Sequence, residues 1–176
     1  MPRRLPVYLV LDTSGSMTGE AIESVNYGMN TLVQALRSDP YALETAFLSI
    51  ITFNDRAQQV VPLTELTQFQ IPTLSASGCT AMGDALEVLA ESIQRDVVKN
   101  TAERKGDWKP MIFLMTDGMP TDDIRRGLDS LRSAKPGVVV CCAAGMDADV
   151  DVLSHIAEHS TSSSNPDSKM VVRHDN

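Results

Sequence analysis

The stretch LPVYLVLDTSGSMTGE, residues 5–20, decides how the chain is interpreted. A run of apolar residues ends abruptly at Asp12, and serines and glycines follow it. A short apolar run bounded by turn residues is typical of a buried strand. The D-x-S-x-S pattern of Asp12, Ser14 and Ser16 fits either an ordinary polar turn or part of a metal site, because serine and aspartate are also common in turns and helix caps.

The rest of the chain alternates strand patterns with helix patterns. Further apolar runs predict strands at residues 47–53, 110–116 and 137–144, and a short edge strand around Val60 and Val61. Apolar residues at three- and four-residue steps predict helices at about residues 20–37, 81–97, 122–133 and 149–158. This alternation predicts an α/β fold: a doubly wound, mainly parallel central sheet with one antiparallel edge strand and helices on both faces.

One domain is expected to span residues 1–176, since this length suits a single core. Near its end, the run STSSSNPDS at residues 160–168 has the composition of a flexible loop, and KMVV at 169–172 is a candidate closing strand. The sequence contains no internal repeats.

Charge and composition exclude several classes of protein. With 15 basic and 23 acidic side chains the net charge is −8, and no Lys/Arg block is present, which argues against a nucleic-acid partner. No apolar run is long enough to span a membrane, and no signal-peptide pattern is present. We therefore expect a monomeric, cytoplasmic protein without a membrane partner.

The three cysteines form neither a disulfide framework nor a C-x-x-C metal pair. Cys141 and Cys142 lie in an apolar strand pattern, which favours a structural role in a reducing compartment. Cys79 is interpreted in the same way, with a redox-sensitive thiol as the alternative.

Two strands that are predicted to be parallel both end in aspartate, at Asp12 and Asp117. In an open α/β sheet the carboxyl ends of such strands face the same crevice, where ligands bind. Two carboxylates packed together repel each other, so a cation is the simplest means of neutralising them. Carboxylate and hydroxyl oxygens are hard ligands that suit Mg²⁺, Mn²⁺ or Ca²⁺.

The order of these motifs resembles the von Willebrand factor A domain. The features are a strand, D-x-S-x-S, a helix, a glycine-flanked threonine in SGCTAMGDAL (77–86), and a strand ending in Thr116-Asp117-Gly118. The resemblance implies a metal-ion-dependent adhesion site, with Mg²⁺ the first choice of ion. The ligands it implies are Asp12, Ser14 and Ser16 from the first loop, Thr80 from the second and Asp117 from the third.

Within that family, the segments RLPVYLVLDTSGSM, DPYALE, LSIITF and KGDWKPMIFLMTDG are similar to the bacterial tellurite-resistance TerY branch. This similarity implies a noncatalytic module that binds a partner's Asp or Glu carboxylate through the cation. It also implies a stress-resistance system with kinase and phosphatase components. The similarity covers about residues 4–145; beyond it the family's final aromatic-rich helix has no counterpart, through either truncation or a different terminus.

A metal-dependent phosphatase is the alternative function, with Asp12 as the nucleophile at the end of the first strand. The haloacid dehalogenase family, which uses that chemistry, expects a second aspartate two residues later, where this chain has Ser14. The sequence also lacks a G-x-S-x-G elbow and a Walker A loop. These departures favour the binding module.

Other residues near the motifs allow two interpretations each. The methionines that follow the ligand loops, Met17, Met82 and Met119, are either filler beneath the loops or an apolar rim for a partner. The pair His155 and His159 is either a solvated helix face or a two-histidine metal site without a third ligand. The acidic residues Asp84, Asp122 and Asp123 are interpreted as caps at the start of their own helices, and Trp108 as a packing residue.

Overall fold

A computed structural model describes residues 3–144, 148–160 and 169–173. The strands are β1 (Leu5–Asp12), β2 (Ala46–Phe53), β3 (Ala57–Glu65), β4 (Met111–Thr116), β5 (Val138–Ala143) and β6 (Lys169–Arg173). The helices are α1 (Glu20–Arg37), α2 (Pro40–Thr45), α3 (Met82–Asp96), α4 (Arg125–Ser133) and α5 (Val150–His159), with a short 3-10 turn at Gly15–Met17.

The six strands form one sheet in the order β3-β2-β1-β4-β5-β6. All neighbouring pairs are parallel except β2 and β3, which pair antiparallel. The predicted mainly parallel sheet with one antiparallel edge strand is therefore confirmed. Strand β1 lies at the centre and is buried along nearly its whole length. Strand β3 alternates between half-buried and exposed residues, which is typical of an edge strand with one solvent-exposed face.

Helices cover the sheet on both sides, as the alternation of patterns predicted. On one face α3, α4 and α5 pack against the sheet around Val10, Leu114 and Cys141. On the other face α1 packs against β1 and β2, and the segment after β3 adds Leu66 and Phe69. The sheet is thus sandwiched between two apolar layers, and its loop-bearing ends remain at the surface.

Beside α1 the described residues cover the second face only partly. A groove of about 420 Å³ runs between that helix and strands β4, β5 and β6. Its walls include Gly28 and Thr31 of the helix and Phe113, Val140 and Val172 of the sheet. The sequence did not predict this groove.

Helix α2 was not predicted, because Pro40 in Ser38-Asp39-Pro40 indicates the end of the preceding helix pattern. The Asp39 side chain accepts hydrogen bonds from the backbone N–H groups of Tyr41 and Ala42, and Pro40 occupies the first helical turn. Aspartate at the N-cap followed by proline is a favourable helix start, so the same segment also begins a second helix. At the other end of the chain, residues 161–168 of the predicted loop at 160–168 lie outside the described ranges, as do the residues after 173.

The buried carboxylate of Asp107 ties the start of β1 to the segment before β4. It accepts hydrogen bonds from Arg4 Nε and Nη2, at 2.9 and 2.7 Å, and from the backbone N–H of Val98 at 2.8 Å. Burial raises the pKa of Asp107, but these hydrogen bonds and the Arg4 charge outweigh it and hold the pKa below its ordinary value.

Replacing Asp107 by asparagine is expected to lower the free energy of unfolding at pH 7 by about 1–2 kcal/mol. A carboxyl with a lowered folded-state pKa stabilises the fold above its unfolded-state pKa, and the contribution is lost as the pH falls through the folded-state value. The difference in the free energy of unfolding between wild type and Asp107→Asn should therefore become smaller below about pH 4. Urea unfolding of both proteins at pH 7 and pH 3 measures this difference.

Asp123→Asn is the matched control, because Asp123 also pairs with an arginine but lies fully exposed on the surface. Exposed ion pairs contribute little to stability, so this variant should unfold like wild type at both pH values. Equal effects of the two substitutions would contradict the role given to Asp107.

Candidate metal centre

The first loop curls around Asp12, the buried last residue of β1. Asp12 Oδ1 accepts a hydrogen bond from the backbone N–H of Ser14 at 2.8 Å. The Ser14 and Ser16 hydroxyl oxygens lie 3.0 Å apart. Ser14 is buried and Ser16 is exposed, so this chain of oxygen atoms leads from the end of the strand to the surface.

The third loop lies beside the first because β4 and β1 are neighbours in the sheet. Leu11 pairs with Met115, which sets Asp12 next to Thr116 at the strand ends. The Thr116 hydroxyl donates to Asp12 Oδ2 at 2.7 Å and accepts from the backbone N–H of Gly118 at 3.1 Å. Thr116 thus fixes the second oxygen of the Asp12 carboxylate.

Asp117 follows directly and is also buried. Its Oδ1 accepts from the backbone N–H of Met119 at 3.1 Å, and no described residue donates to its Oδ2. Burial raises the pKa of Asp12, and hydrogen bonds from Ser14 and Thr116 lower it. The negative charge of Asp117 raises it further, so the pKa of Asp12 lies above its ordinary value. The two carboxyl groups are therefore close enough to interact.

The second loop is fastened to both of the others through its backbone. The N–H of Gly15 donates to the carbonyl of Gly78 at 2.7 Å. The N–H of Thr80 donates to the Thr121 hydroxyl at 3.0 Å, and the N–H of Thr121 donates to the Thr80 carbonyl at 2.9 Å. Thr80 is buried, and its own hydroxyl makes no hydrogen bond within the described ranges.

The five predicted ligands therefore relate to one another in three ways. Asp12, Ser14 and Ser16 are joined by direct hydrogen bonds, Asp117 interacts with Asp12 by charge, and Thr80 belongs to a loop that is bonded to the other two. The donor set of two carboxylates and three hydroxyls consists of hard oxygen atoms, which fits Mg²⁺, Mn²⁺ or Ca²⁺.

The described part of the chain contains no group of three or more His, Cys, Asp or Glu side chains that could hold a metal ion. Any ion between these loops therefore has to rely on hydroxyl oxygens and water as well as carboxylates. Magnesium retains several waters in most protein sites, so a donor set with only two carboxylates suits it.

Residues 7–174 match the sequence profile of the von Willebrand factor type A domain. The chain belongs to the von Willebrand factor type A family. VWA domains commonly mediate metal-dependent protein interactions. The match includes all three loops described above.

A Synechocystis sp. relative of this VWA domain, the uncharacterized protein sll0103, is 33% identical over 123 residues. That alignment covers 66% of this chain and 26% of the relative, so the chain spans about a quarter of that protein's length. No helix in the described ranges is both long and apolar enough to cross a membrane.

Solved structures share the fold at low sequence identity. A von Willebrand factor type A structure from Catenulispora acidiphila is 19% identical with a TM-score of 0.65, covering 99% of this chain and 39% of the other. The ArnB paralog VWA2 from Sulfolobus acidocaldarius is 17% identical with a TM-score of 0.69, at 99% and 42% coverage. An aerotolerance-related membrane protein from Bacteroides fragilis is 18% identical with a TM-score of 0.64, at 98% and 92% coverage.

Two hydroxyl groups that support the candidate site of this VWA domain were not predicted from the sequence. Thr116 holds Asp12, and Thr121 holds the backbone of Thr80. The only local signal for Thr116 is its place just before Asp117 at a strand end. The partner of Thr121 lies in another loop, so no pattern near Thr121 in the sequence reveals its role.

The prediction that Asp122 begins its own helix was wrong. Its two carboxylate oxygens accept from the backbone N–H groups of Gly83 and Asp84 at 2.9 and 3.1 Å, so Asp122 caps α3, and α4 begins only at Arg125. Asp84 likewise bonds elsewhere, to the backbone N–H of Ala57 at 2.8 Å. Both carboxylates join the α3 start to other segments instead of capping their own helix.

The methionines after the three ligand loops divide between the two interpretations. Met17 and Met82 are fully buried and fill space beneath the loops, whereas Met119 is 46% exposed beside Asp117. Only Met119 is therefore available to an incoming partner.

The remaining candidates lie outside the metal centre. Cys79 is exposed, so it does not fill the core as its structural interpretation expected, whereas burial raises the pKa of Cys141 to about 12. His155 and His159 are both exposed on α5, and His159 Nδ1 lies 2.9 Å from the His155 carbonyl oxygen. This geometry agrees with a solvated helix face.

Proposed function

We propose that this VWA domain is a noncatalytic protein-binding module that captures a partner's Asp or Glu carboxylate through a divalent cation. One observation carries the proposal: Asp12 and Asp117 are adjacent buried carboxylates, and no cationic side chain in the described ranges pairs with either. Buried like charges need a neutralising partner. The residues that would hold the cation are Asp12, Ser14, Ser16, Thr80 and Asp117.

The cation, Mg²⁺ as first choice with Mn²⁺ or Ca²⁺ as alternatives, would supply an open coordination position for the incoming carboxylate. Ser16 is the exposed end of the donor set, so the partner would approach from its side. Asp117 could bind the ion directly or through water. If Asp117 were bound through water, less negative charge would neutralise the ion, and the ion would attract an external carboxylate more strongly.

The geometry gives little support to the phosphatase alternative. A nucleophilic aspartate has to be reached by the phosphate group of a substrate, whereas the Asp12 side chain is buried. The position of a general acid two residues later is taken by Ser14, whose hydroxyl does not serve that role at neutral pH.

The TerY-like segments extend this proposal to a cellular setting. We infer a cytoplasmic, monomeric component of a bacterial tellurite or chemical-stress resistance system, with kinase or phosphatase components as its partners. The support for this setting is sequence resemblance alone. The metal-dependent capture of a carboxylate stands independently of it.

The proposal is tested by calorimetric titration of Mg²⁺ and Mn²⁺ into wild type and Ser16→Ala. Ser16 is exposed, so its loss should leave the fold intact, while loss of one ligand should weaken ion binding at least about tenfold, a typical cost of disturbing a metal site. Thr18→Ala is the matched control, because that exposed hydroxyl bonds the Gly15 carbonyl in the same loop without joining the donor set.

A second experiment tests whether the ion mediates partner binding or phosphate-ester hydrolysis. Proteins captured from the native host in Mg²⁺ should be released by chelator and lost with Ser16→Ala, but retained with Thr18→Ala. Hydrolysis of p-nitrophenyl phosphate should stay at background in all three proteins. Stoichiometric ion binding that Ser16→Ala leaves unchanged, or turnover that Ser16→Ala abolishes, would overturn the proposal.

A further inference from the structure

Cationic side chains gather at the end of the sheet opposite to the metal centre. Arg3, Lys109 and Lys135 each lie just before a strand, and those strands, β1, β4 and β5, are neighbours in the sheet. The amino ends of parallel neighbours meet at one edge, so the three residues meet there too. The backbone N–H of Gly137 donates to the Pro110 carbonyl at 2.9 Å, which joins two of these segments.

The loop at residues 97–109 adds further positive charge and is held firmly in place. Arg3 Nε donates to the Gly106 carbonyl at 2.9 Å, and the backbone N–H of Trp108 donates to the Arg4 carbonyl at 2.9 Å. The backbone N–H of Asp107 donates to the Val98 carbonyl at 2.7 Å. These bonds present the exposed side chains Lys99, Arg104 and Lys105 beside the three strand-end residues.

This basic end comprises Arg3, Lys99, Arg104, Lys105, Lys109 and Lys135. Two carboxylates close to it are already paired, Asp107 with Arg4 and Asp96 with Arg95. Glu44 and Glu65 lie at the amino end of β2, on the side of β1 away from Lys109 and Lys135. Glu103 is the remaining carboxylate of the loop. The sequence contains no Lys/Arg block because these residues come from separate segments, and only the fold gathers them in a chain whose net charge is −8.

Apolar surface lies among these charges. Trp108 is 43% and Val98 is 36% exposed. The Arg3 guanidinium carbon lies 3.9 Å from the centre of the Trp108 ring, so one face of the indole is already covered. The surface therefore combines several Lys and Arg side chains with a small exposed apolar area. Only one face of the Trp108 indole remains open for a base to stack on.

We propose that the basic end is a second docking surface, which binds an acidic segment of a partner protein. Ammonium and guanidinium groups pair with Asp and Glu side chains, while Trp108 and Val98 accept an apolar residue between them. A nucleic acid fits less well, because Arg3 already covers one face of the Trp108 ring and stacking of bases on it is restricted. The binding needs no metal ion and is separate from the carboxylate capture at the other end.

The test uses a fluorescein-labelled twelve-residue peptide of Glu and Asp with one central Phe, followed by anisotropy in chelator at 50 and 300 mM NaCl. Chelator keeps the metal centre out of the measurement. The full chain should bind at low salt, and affinity should fall several-fold at high salt because ions screen such contacts. The double variant Lys105→Glu/Lys109→Glu should weaken binding at least tenfold.

Arg125→Glu/Arg126→Glu is the matched control, since both arginines are exposed on α4 and the net charge changes equally. It should weaken binding less than twofold. Equal losses in the two double variants would attribute binding to overall charge and overturn the proposal, as would no binding at 50 mM salt. A twelve-nucleotide oligo(dT) that binds tighter than the peptide would assign the surface to nucleic acid instead.

Discussion

Replacing Gly127 by valine is expected to destabilise the domain more than any other single change described here, by about 3 kcal/mol. A Cβ at position 127 would lie 2.6 Å from the carbonyl oxygen of Gly83 and 2.7 Å from the Cβ of Leu86. Helices α3 and α4 approach each other closely at this point, and backbone atoms cannot yield as a flexible side chain can. Guanidinium unfolding measures the loss of free energy.

The loss should lower the melting temperature by roughly 6–12 °C in a domain of this size. It should also weaken metal binding, because α3 begins just after Thr80 and would be displaced. Gly28→Ala is the matched control: this glycine is also in a helix, but an added Cβ would meet only the Met115 side chain at 3.6 Å. Alanine favours a helix over glycine, so this variant should be as stable as wild type or slightly more stable. A Gly127→Val protein with the same melting temperature as wild type would show that α3 and α4 can move apart without cost.

Replacing Asp12 by asparagine should have opposite effects with and without metal. In chelator the variant should be at least as stable as wild type, because a buried carboxylate beside Asp117 is removed. With Mg²⁺ at about 100 times its dissociation constant, wild type should gain about 2.7 kcal/mol. The variant should gain nothing, since the ion loses its central charged ligand.

The measurement is the melting temperature of both proteins across a Mg²⁺ titration. Wild type should rise by roughly 5–11 °C while Asp12→Asn stays flat. Asp123→Asn removes the same charge from an exposed position and should keep the wild-type response. A parallel rise in wild type and Asp12→Asn would place the ion elsewhere on the protein.

Much of the fold could be predicted because its signals are local. The apolar run before Asp12 and the three- and four-residue spacing between Ile22 and Leu36 indicate a strand and a helix from neighbouring residues alone. Part of the candidate site shares that property. The spacing of Asp12, Ser14 and Ser16 lies within one loop, and Asp117 follows from the rule that parallel strands end at the same edge.

The remaining features depend on contacts between distant parts of the chain. Thr80 was named only through family resemblance, since nothing near it in the sequence indicates the loops that its backbone joins. Asp122 was assigned to the nearest helix, but its oxygens bind the start of α3. A carboxylate before a helix pattern cannot reveal which helix it caps, because the choice depends on how the two helices pack.

The buried central strand β1 separates the candidate metal centre from the basic end. Its eight residues correspond to about 26 Å at the usual rise per residue. A strand packed on both faces bends little, so it acts as a spacer of fixed length. Two proteins could dock at its two ends without competing for space. A third molecule that contacts both of them would, once bound to the first, meet the second at a raised local concentration. If both proposed surfaces bind a protein, the domain would act as a connector that sets the distance between them.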